Sequence, residues 1–252
     1  MKIEASFVTS AAVAEDFPRN GVPEIALVGR SNVGKSSLIN ALVREQIART
    51  SAAPGKTRLA NVYRVARGSG EPLYLVDLPG YGYARGGRQA AAEFEELTWA
   101  FFRRFFSGEI RLQPDFQRDP AQGPIRLKPD ATRKPDATGD IAALLLVDSR
   151  HPGLQSDIEA WRWLEATVER CALVATKIDK LARGQRISAM RELESAFEHP
   201  VLPVSAVTGE GLDELWTLID KLTNNNSSRR KPPDNNNPNR LPRATAARHR
   251  RK

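Results

Sequence analysis

Eight consecutive residues, Gly29-Arg30-Ser31-Asn32-Val33-Gly34-Lys35-Ser36, carry the most specific chemical signal in the chain. They fit G-x-x-x-x-G-K-[ST], in which a loop between a strand and a helix wraps a phosphate chain. Backbone N–H groups and the helix N-terminus turn positive character inward, toward the anion. Gly29 and Gly34 allow a close backbone approach that side chains would block. Lys35 can bridge the terminal phosphates, and the Ser36 hydroxyl can ligate magnesium. The flanks suit this reading. Pro23-Glu24-Ile25-Ala26-Leu27-Val28 reads as a short apolar strand, and Ser37 to Val43 reads as the first turns of a helix.

Three further stretches stand where a guanine-nucleotide switch needs them. Asp77-Leu78-Pro79-Gly80 closes an apolar strand, so the Asp77 carboxylate emerges near the phosphates, where it would hold magnesium through water. The Gly80 N–H could contact the terminal phosphate. Thr176-Lys177-Ile178-Asp179 follows a later strand. Asp179 can accept hydrogen bonds from guanine N1–H and its 2-amino group, and adenine offers neither donor there. A buried carboxylate left unpaired is costly, so this selects the base. The Lys177 stem would lie over the base plane. Val204-Ser205-Ala206 comes one strand–helix unit later, and the Ala206 N–H could meet guanine O6. A magnesium-binding threonine should lie between the phosphate loop and Asp77, and spacing leaves both Thr50 and Thr57 open.

These groups need a frame that delivers them to one edge. Lys2 to Ser10 could be extended, and Leu59–Val65, Leu73–Val76, Ile141–Val147, Ala172–Ala175 and Val201–Val204 have strand character. Helices are expected near Gln89–Phe106, from a capping box of Ser156 with Glu159, over Arg186–Glu198, and through Leu212 to Leu222. Phe94, Leu97, Phe101 and Phe105 mark one face of the Gln89–Phe106 helix, and Trp99, Phe102 and Phe106 mark a second face expected to be buried. Strand–helix alternation at this spacing argues an α/β fold with a mainly parallel sheet.

The chain has 252 residues and a net charge of +8. From Asn224 onward it holds nine Lys or Arg and one Asp, so this tail carries the whole excess and Met1–Thr223 is neutral. The tail lacks apolar periodicity and reads as disordered and basic. It suits an RNA surface. Gln113–Gly139 repeats Lys-Pro-Asp-Ala-Thr and is too rich in proline for helices or central strands, so it reads as a low-complexity insertion. The single Cys171 fits a reducing compartment and an inert buried thiol. Ala12-Val13-Ala14 superficially matches a signal-peptidase site, but Glu4, Thr9 and Ser10 interrupt the stretch that would have to precede it. No apolar run approaches a membrane span. A cytoplasmic protein without membrane attachment is expected.

Taken in order, these motifs resemble the P-loop GTPases of the translation-factor-related class. More narrowly, Pro23–Asn40, Arg49–Thr57, Asp77–Tyr83, Asp148–His151 and Thr176–Asp179 are similar to the EngB (YihA/YsxC) family, from about Ala5 to Leu222 without the insertion. The resemblance implies a three-layer fold with a mainly parallel six-stranded sheet, one antiparallel edge strand and helices on both faces. It implies a segment 1–22 packed on a GTPase domain of 23–223, after which composition alone marks the basic tail of 224–252. It selects Thr57 as the switch residue that binds Mg2+ with Ser36, and brings Gly55, Lys56, Arg58 and Leu59 into the nucleotide site. It implies a GTP- and GDP-binding monomer acting on large ribosomal subunit precursors and their RNA, needed for cell division and septation. The long insertion and the basic tail depart from the family's common core.

Hydrolysis would rest on Lys35, on magnesium at Ser36 and Thr57, and on the loop amides. Where many small GTPases carry a water-orienting Gln after D-x-x-G, this chain has Tyr81, so slow unaided hydrolysis is expected. Asn32 matches a position that related families use for an activating potassium ion. Two alternatives stand beside this reading: a septation protein acting directly on the division machinery, and an ATP-dependent phosphotransferase, against which Asp179 argues.

Overall fold

The computed structural model describes residues 2–49, 59–81, 96–105 and 141–224. Within them the strands are β1 (Ile3–Ala11), β2 (Glu24–Gly29), β3 (Ala60–Arg67), β4 (Leu73–Asp77), β5 (Ile141–Asp148), β6 (Cys171–Thr176) and β7 (Val201–Pro203). The helices are α1 (Lys35–Val43), α2 (96–103), α3 (Gln155–Thr167), α4 (Arg183–Phe197) and α5 (Leu212–Asn224). One sheet runs in the order β1-β3-β4-β2-β5-β6-β7. From β4 to β7 all pairings are parallel, whereas β3 is antiparallel to both β4 and β1.

The sheet therefore has seven strands where six were expected, and the reversed strand β3 lies one place in from the edge. Segment 3–11 forms the true edge. Its side chains are mostly half-buried or exposed, so apolar alternation gives no sign of pairing; the backbone ladder to β3 holds it. A register shift between Phe7 and Thr9 breaks the edge's regularity, a feature that discourages further strand addition.

Alternation along the central strands divides the core into two layers. Ala26, Val28, Ala143, Leu145 and Val147 face α2, α3 and α4, where Phe101, Phe102, Trp161, Leu164 and Leu193 are buried. Ile25, Leu27, Leu144 and Leu146 face α1 and α5, against Leu38, Ile39, Leu42, Leu215 and Ile219. Strands β2 and β4 are buried along their full length, as parallel strands covered on both faces must be. Leu97 and Phe102 are both buried, so the two apolar rows of α2 each find cover. Trp99 and Phe102 each meet Trp163 edge-on at 5.2 Å.

Helix α3 begins at Gln155, and Ser156 does not cap it. Leu154 holds the N-cap position instead, and its carbonyl accepts the amides of Asp157 and Ile158. Tertiary packing, with Trp161 and Leu164 buried, fixes this start without a side-chain cap. Cys171 is half-buried in β6, where burial and the nearby Glu165 charge push its thiol up to about 11. Gln113–Gly139, the tail from residue 225, and Phe94 and Phe106 lie outside the described residues.

Candidate functional site

Parallel pairing from β4 to β7 places the C-terminal ends of five strands along one edge. Asp77 ends β4, the Gly29–Ser36 loop leaves β2, Asp148 ends β5, Thr176 ends β6, and Val204 follows β7. Open α/β sheets bind ligands along such an edge.

The phosphate loop turns into α1 through Gly34, whose φ of +113° is a conformation that side chains rarely adopt. Buried Lys35 directs its Nζ back into the loop, donating to the carbonyls of Gly29 at 3.1 Å and Arg30 at 3.3 Å. Ser36 Oγ donates to Asp77 Oδ2 at 2.6 Å. Burial raises the Asp77 carboxyl, against the pull of Lys35 and the Ser36 hydrogen bond. Burial likewise lowers Lys35, and Asp77 opposes it. Burial thus works against the charge of both groups, while each favours the charge of the other. A hydroxyl and a carboxylate are hard oxygen donors and suit Mg2+, so Ser36 and Asp77 fit that ion.

The D-x-x-G stretch is sewn to the phosphate loop. Leu78 is buried and its amide reaches the Leu27 carbonyl, while Ser31 Oγ donates to the Gly80 carbonyl at 3.1 Å. After Pro79, Gly80 comes so close to the loop that a Cβ there would sit 2.5 Å from the Ser31 nitrogen. Arg30 and Tyr81 form a parallel bridge, and the Ser31 amide donates to the Tyr81 carbonyl at 3.0 Å. The Tyr81 hydroxyl donates to Asp157 Oδ1 on α3 at 2.8 Å.

On the base side, Thr176 Oγ1 donates to the Val33 carbonyl at 2.7 Å, tying β6 to the phosphate loop. Lys177 turns the chain with a φ of +61°, and its Nζ donates to the Asn32 carbonyl and, at 2.8 Å, to Asp148 Oδ2. Its stem crosses the loop at Gly34. Buried Ile178 anchors the next turn, its amide reaching toward the Val204 carbonyl. Ser205 Oγ donates to Asp179 Oδ1 at 2.7 Å and accepts the amides of Val207 and Thr208. Partial desolvation pushes the Asp179 carboxyl up, but Ser205 and Lys180 outweigh it and hold the group below its ordinary value. Half-buried Ala206 follows in the same loop.

The structure thus brings together Gly29 to Ser36, Asp77 to Gly80, Thr176 to Asp179 and Val204 to Ala206. Leu59 is exposed just before β3. Thr50, Gly55, Lys56, Thr57 and Arg58 lie outside the described residues. Sequence reasoning gave no role to Asp157 or Arg150, and it recorded Asp148 only within a family phrase. Their signal was faint: Asp148 closes an apolar strand, as Asp77 does.

A family model described as a 50S ribosome-binding GTPase matches residues 24–103. Probable GTP-binding protein EngB of Heliobacterium modesticaldum is 37% identical over 231 residues, covering 89% of this chain and 95% of that protein. The protein of the same name from Chlorobaculum tepidum is 36% identical over 222 residues, with 87% and 97% covered. The crystal structure of a probable GTP-binding protein EngB superposes with a TM-score of 0.53 at 20% identity, covering 80% of this chain and 98% of that one. Aquifex aeolicus Era bound to GDP and aluminium fluoride superposes with a TM-score of 0.58 at 20% identity, with 81% and 57% covered. These structures share the fold.

Proposed function

The chain belongs to the EngB family of GTP-binding proteins and is a GTPase, and from that premise we propose that it serves as a slow switch in large ribosomal subunit assembly. The observation that carries the guanine reading is the pairing of Asp179, fixed by Ser205, with Lys177, fixed on the phosphate loop. The ribosomal part is supported by the match of residues 24–103 to a family described as ribosome-binding. In this reading normal division and septation depend on the chain through ribosome supply. It works as a cytoplasmic monomer on subunit precursors and their RNA. Among the described residues no helix is long and apolar enough to cross a membrane.

Each residue has a part in hydrolysis. The loop amides of Asn32, Gly34, Lys35 and Ser36 bind the phosphate oxygens, while that of Ser31 is held by the Tyr81 carbonyl, and Lys35 neutralises the charge that develops on the β- and γ-phosphates. Ser36 and Thr57 would hold Mg2+, with Asp77 beside Ser36, and the ion would supply charge neutralisation. Tyr81 has its hydroxyl committed to Asp157 and leaves no amide side chain to orient the attacking water. Unaided turnover is therefore slow. Asn32 is exposed in the loop with a φ of +62°, and it is the proposed potassium ligand.

Sedimentation with purified large-subunit particles tests the reading. Binding with a GTP analogue and release with GDP support it. Absence of binding in every nucleotide state overturns it in favour of direct action on the division machinery.

A further inference from the structure

Among the described residues, Asp148 accepts charged hydrogen bonds from two side chains, Arg150 and Lys177. Arg150 grips both of its oxygens, with Nε 2.9 Å from Oδ1 and Nη2 2.6 Å from Oδ2. The Arg150 amide adds a third bond to Oδ1 at 3.1 Å. Lys177 Nζ takes the remaining side of Oδ2 at 2.8 Å. A two-pronged guanidinium contact fixes the plane of a carboxylate as well as its position. Burial pushes the Asp148 carboxyl up, but the bonds from Arg150 and Lys177 outweigh this and hold it well below the usual range.

The consequence falls on Lys177. A lysine side chain has four rotatable bonds and loses considerable freedom when immobilised. Here the stem is drawn across Gly34, and its tip is fastened at two points, Asn32 on the phosphate loop and Asp148 on β5. A stem held this way offers an apolar edge before any base arrives, so binding need not order it. The Asn32 carbonyl alone would leave the tip one acceptor on a short loop. Asp148 ties it to a strand buried in the centre of the sheet.

We infer that Asp148, braced by Arg150, is a positioning residue that presets Lys177 as the platform for the nucleotide base and so sets affinity for guanine nucleotides irrespective of phosphate number. This rests on the reading of Asp179 and Lys177 as the base site. Asp148 touches no nucleotide itself and acts through Lys177.

The test is a set of equilibrium titrations of the full chain with fluorescent GDP and a fluorescent GTP analogue in excess Mg2+. Asp148→Ala should weaken both ligands equally, by about tenfold, the worth of one charge-assisted hydrogen bond. Asp148→Asn keeps one acceptor and should recover part of that loss. In a cycle with Lys177→Ala, the double variant should be no weaker than Lys177→Ala alone, because both changes remove one device. A purely structural role for Asp148 would make the losses additive, and that result overturns the inference. So does an unchanged affinity in Asp148→Asn, which also serves if Asp148→Ala does not fold. Asp179→Asn separates the two levels: if it keeps its GDP affinity the base-site reading itself fails, and if it loses GDP while the Asp148 variants do not, only the present inference falls.

Discussion

Ser205 Oγ stands 2.7 Å from Asp179 Oδ1 and donates to it, while the same oxygen accepts two backbone amides. A hydroxyl placed in this way fixes the carboxylate and leaves lone pairs on both oxygens for a ligand, with Lys180 Nζ standing 3.4 Å from Oδ2. Ser205→Ala removes the donor and two amide interactions together. Guanine-nucleotide affinity should fall about tenfold, the usual worth of one hydrogen bond to a charged group. Titration with GDP checks this, and an unchanged affinity contradicts the role given to Ser205.

Glu24 and Arg104 form an ion pair at 2.7 Å, with side chains 6% and 8% exposed. The guanidinium also lies over Phe17, Phe101 and Phe105 at 4.4 to 4.9 Å and donates to the Pro18 carbonyl. Burial raises the Glu24 carboxyl against the pull of Arg104. Removing one partner strands the other charge, so Glu24→Ala should cost about 3–5 kcal/mol of stability. Glu24→Gln keeps a hydrogen-bond acceptor and should cost less. Urea unfolding of both variants measures the difference.

Tyr81 is bound to Asp157, whose carboxyl is raised by burial against the Tyr81 hydrogen bond and the Arg30 charge. Tyr81→Phe leaves that buried carboxylate short of a donor and should destabilise the fold by about 1–3 kcal/mol. If Tyr81 orients no water, kcat should stay near its starting value. A large loss of kcat with KM unchanged would show that the hydroxyl acts in the transition state.

Acid should weaken the base side in part through Asp148. Its folded carboxyl titrates below the unfolded value because Arg150 and Lys177 outweigh the cost of burial. The unfolded chain then binds more protons, so this contribution is complete above about pH 4 and is lost as pH falls toward the folded value. Thermal melting of wild type and Asp148→Asn should converge as pH drops from about 7 to about 3. A gap that widens instead reverses the sign.

Potassium should accelerate GTP hydrolysis relative to sodium if Asn32 helps to hold it near the phosphates, where a fixed cation stabilises developing charge. Equal rates in the two salts remove that role. The basic tail gives a separate handle. Ending the chain after Thr223 should flatten the salt dependence of RNA binding, by about 0.7–0.9 in log–log slope for each phosphate that the tail no longer neutralises. An unchanged slope excludes the tail from the interface.

Much of this architecture was legible because two physical signals are strong in the chain. Buried parallel strands such as Ile141–Asp148 read as unbroken apolar runs, and the phosphate loop needs its glycines and lysine at fixed spacing. The edge strand Ile3–Ala11 was harder to place, since it is held by backbone bonds that leave no mark on side-chain pattern. The start of α3 differs for a related reason: Ser156 offers a good cap, yet burial of Trp161 and Leu164 sets the helix two residues earlier, with Leu154 at the N-cap. Asp148 and Asp157 lacked assigned roles because each acts through a distant residue, Lys177 in one case and Tyr81 in the other. Such pairings depend on which strand ends and helices the fold brings together, and residue spacing does not encode them.

The most direct measurement joins base recognition to ribosomal binding in one variant. Asp179→Asn replaces an acceptor for the guanine N1–H and 2-amino group with an amide that can donate to the 2-oxo group of xanthine. Wild type should sediment with large-subunit particles in a GTP analogue and not in GDP. Asp179→Asn should do so only with the corresponding xanthosine triphosphate analogue. Sedimentation of wild type that is the same with every nucleotide, or of the variant that still follows GTP, would contradict a guanine-read switch on the large subunit.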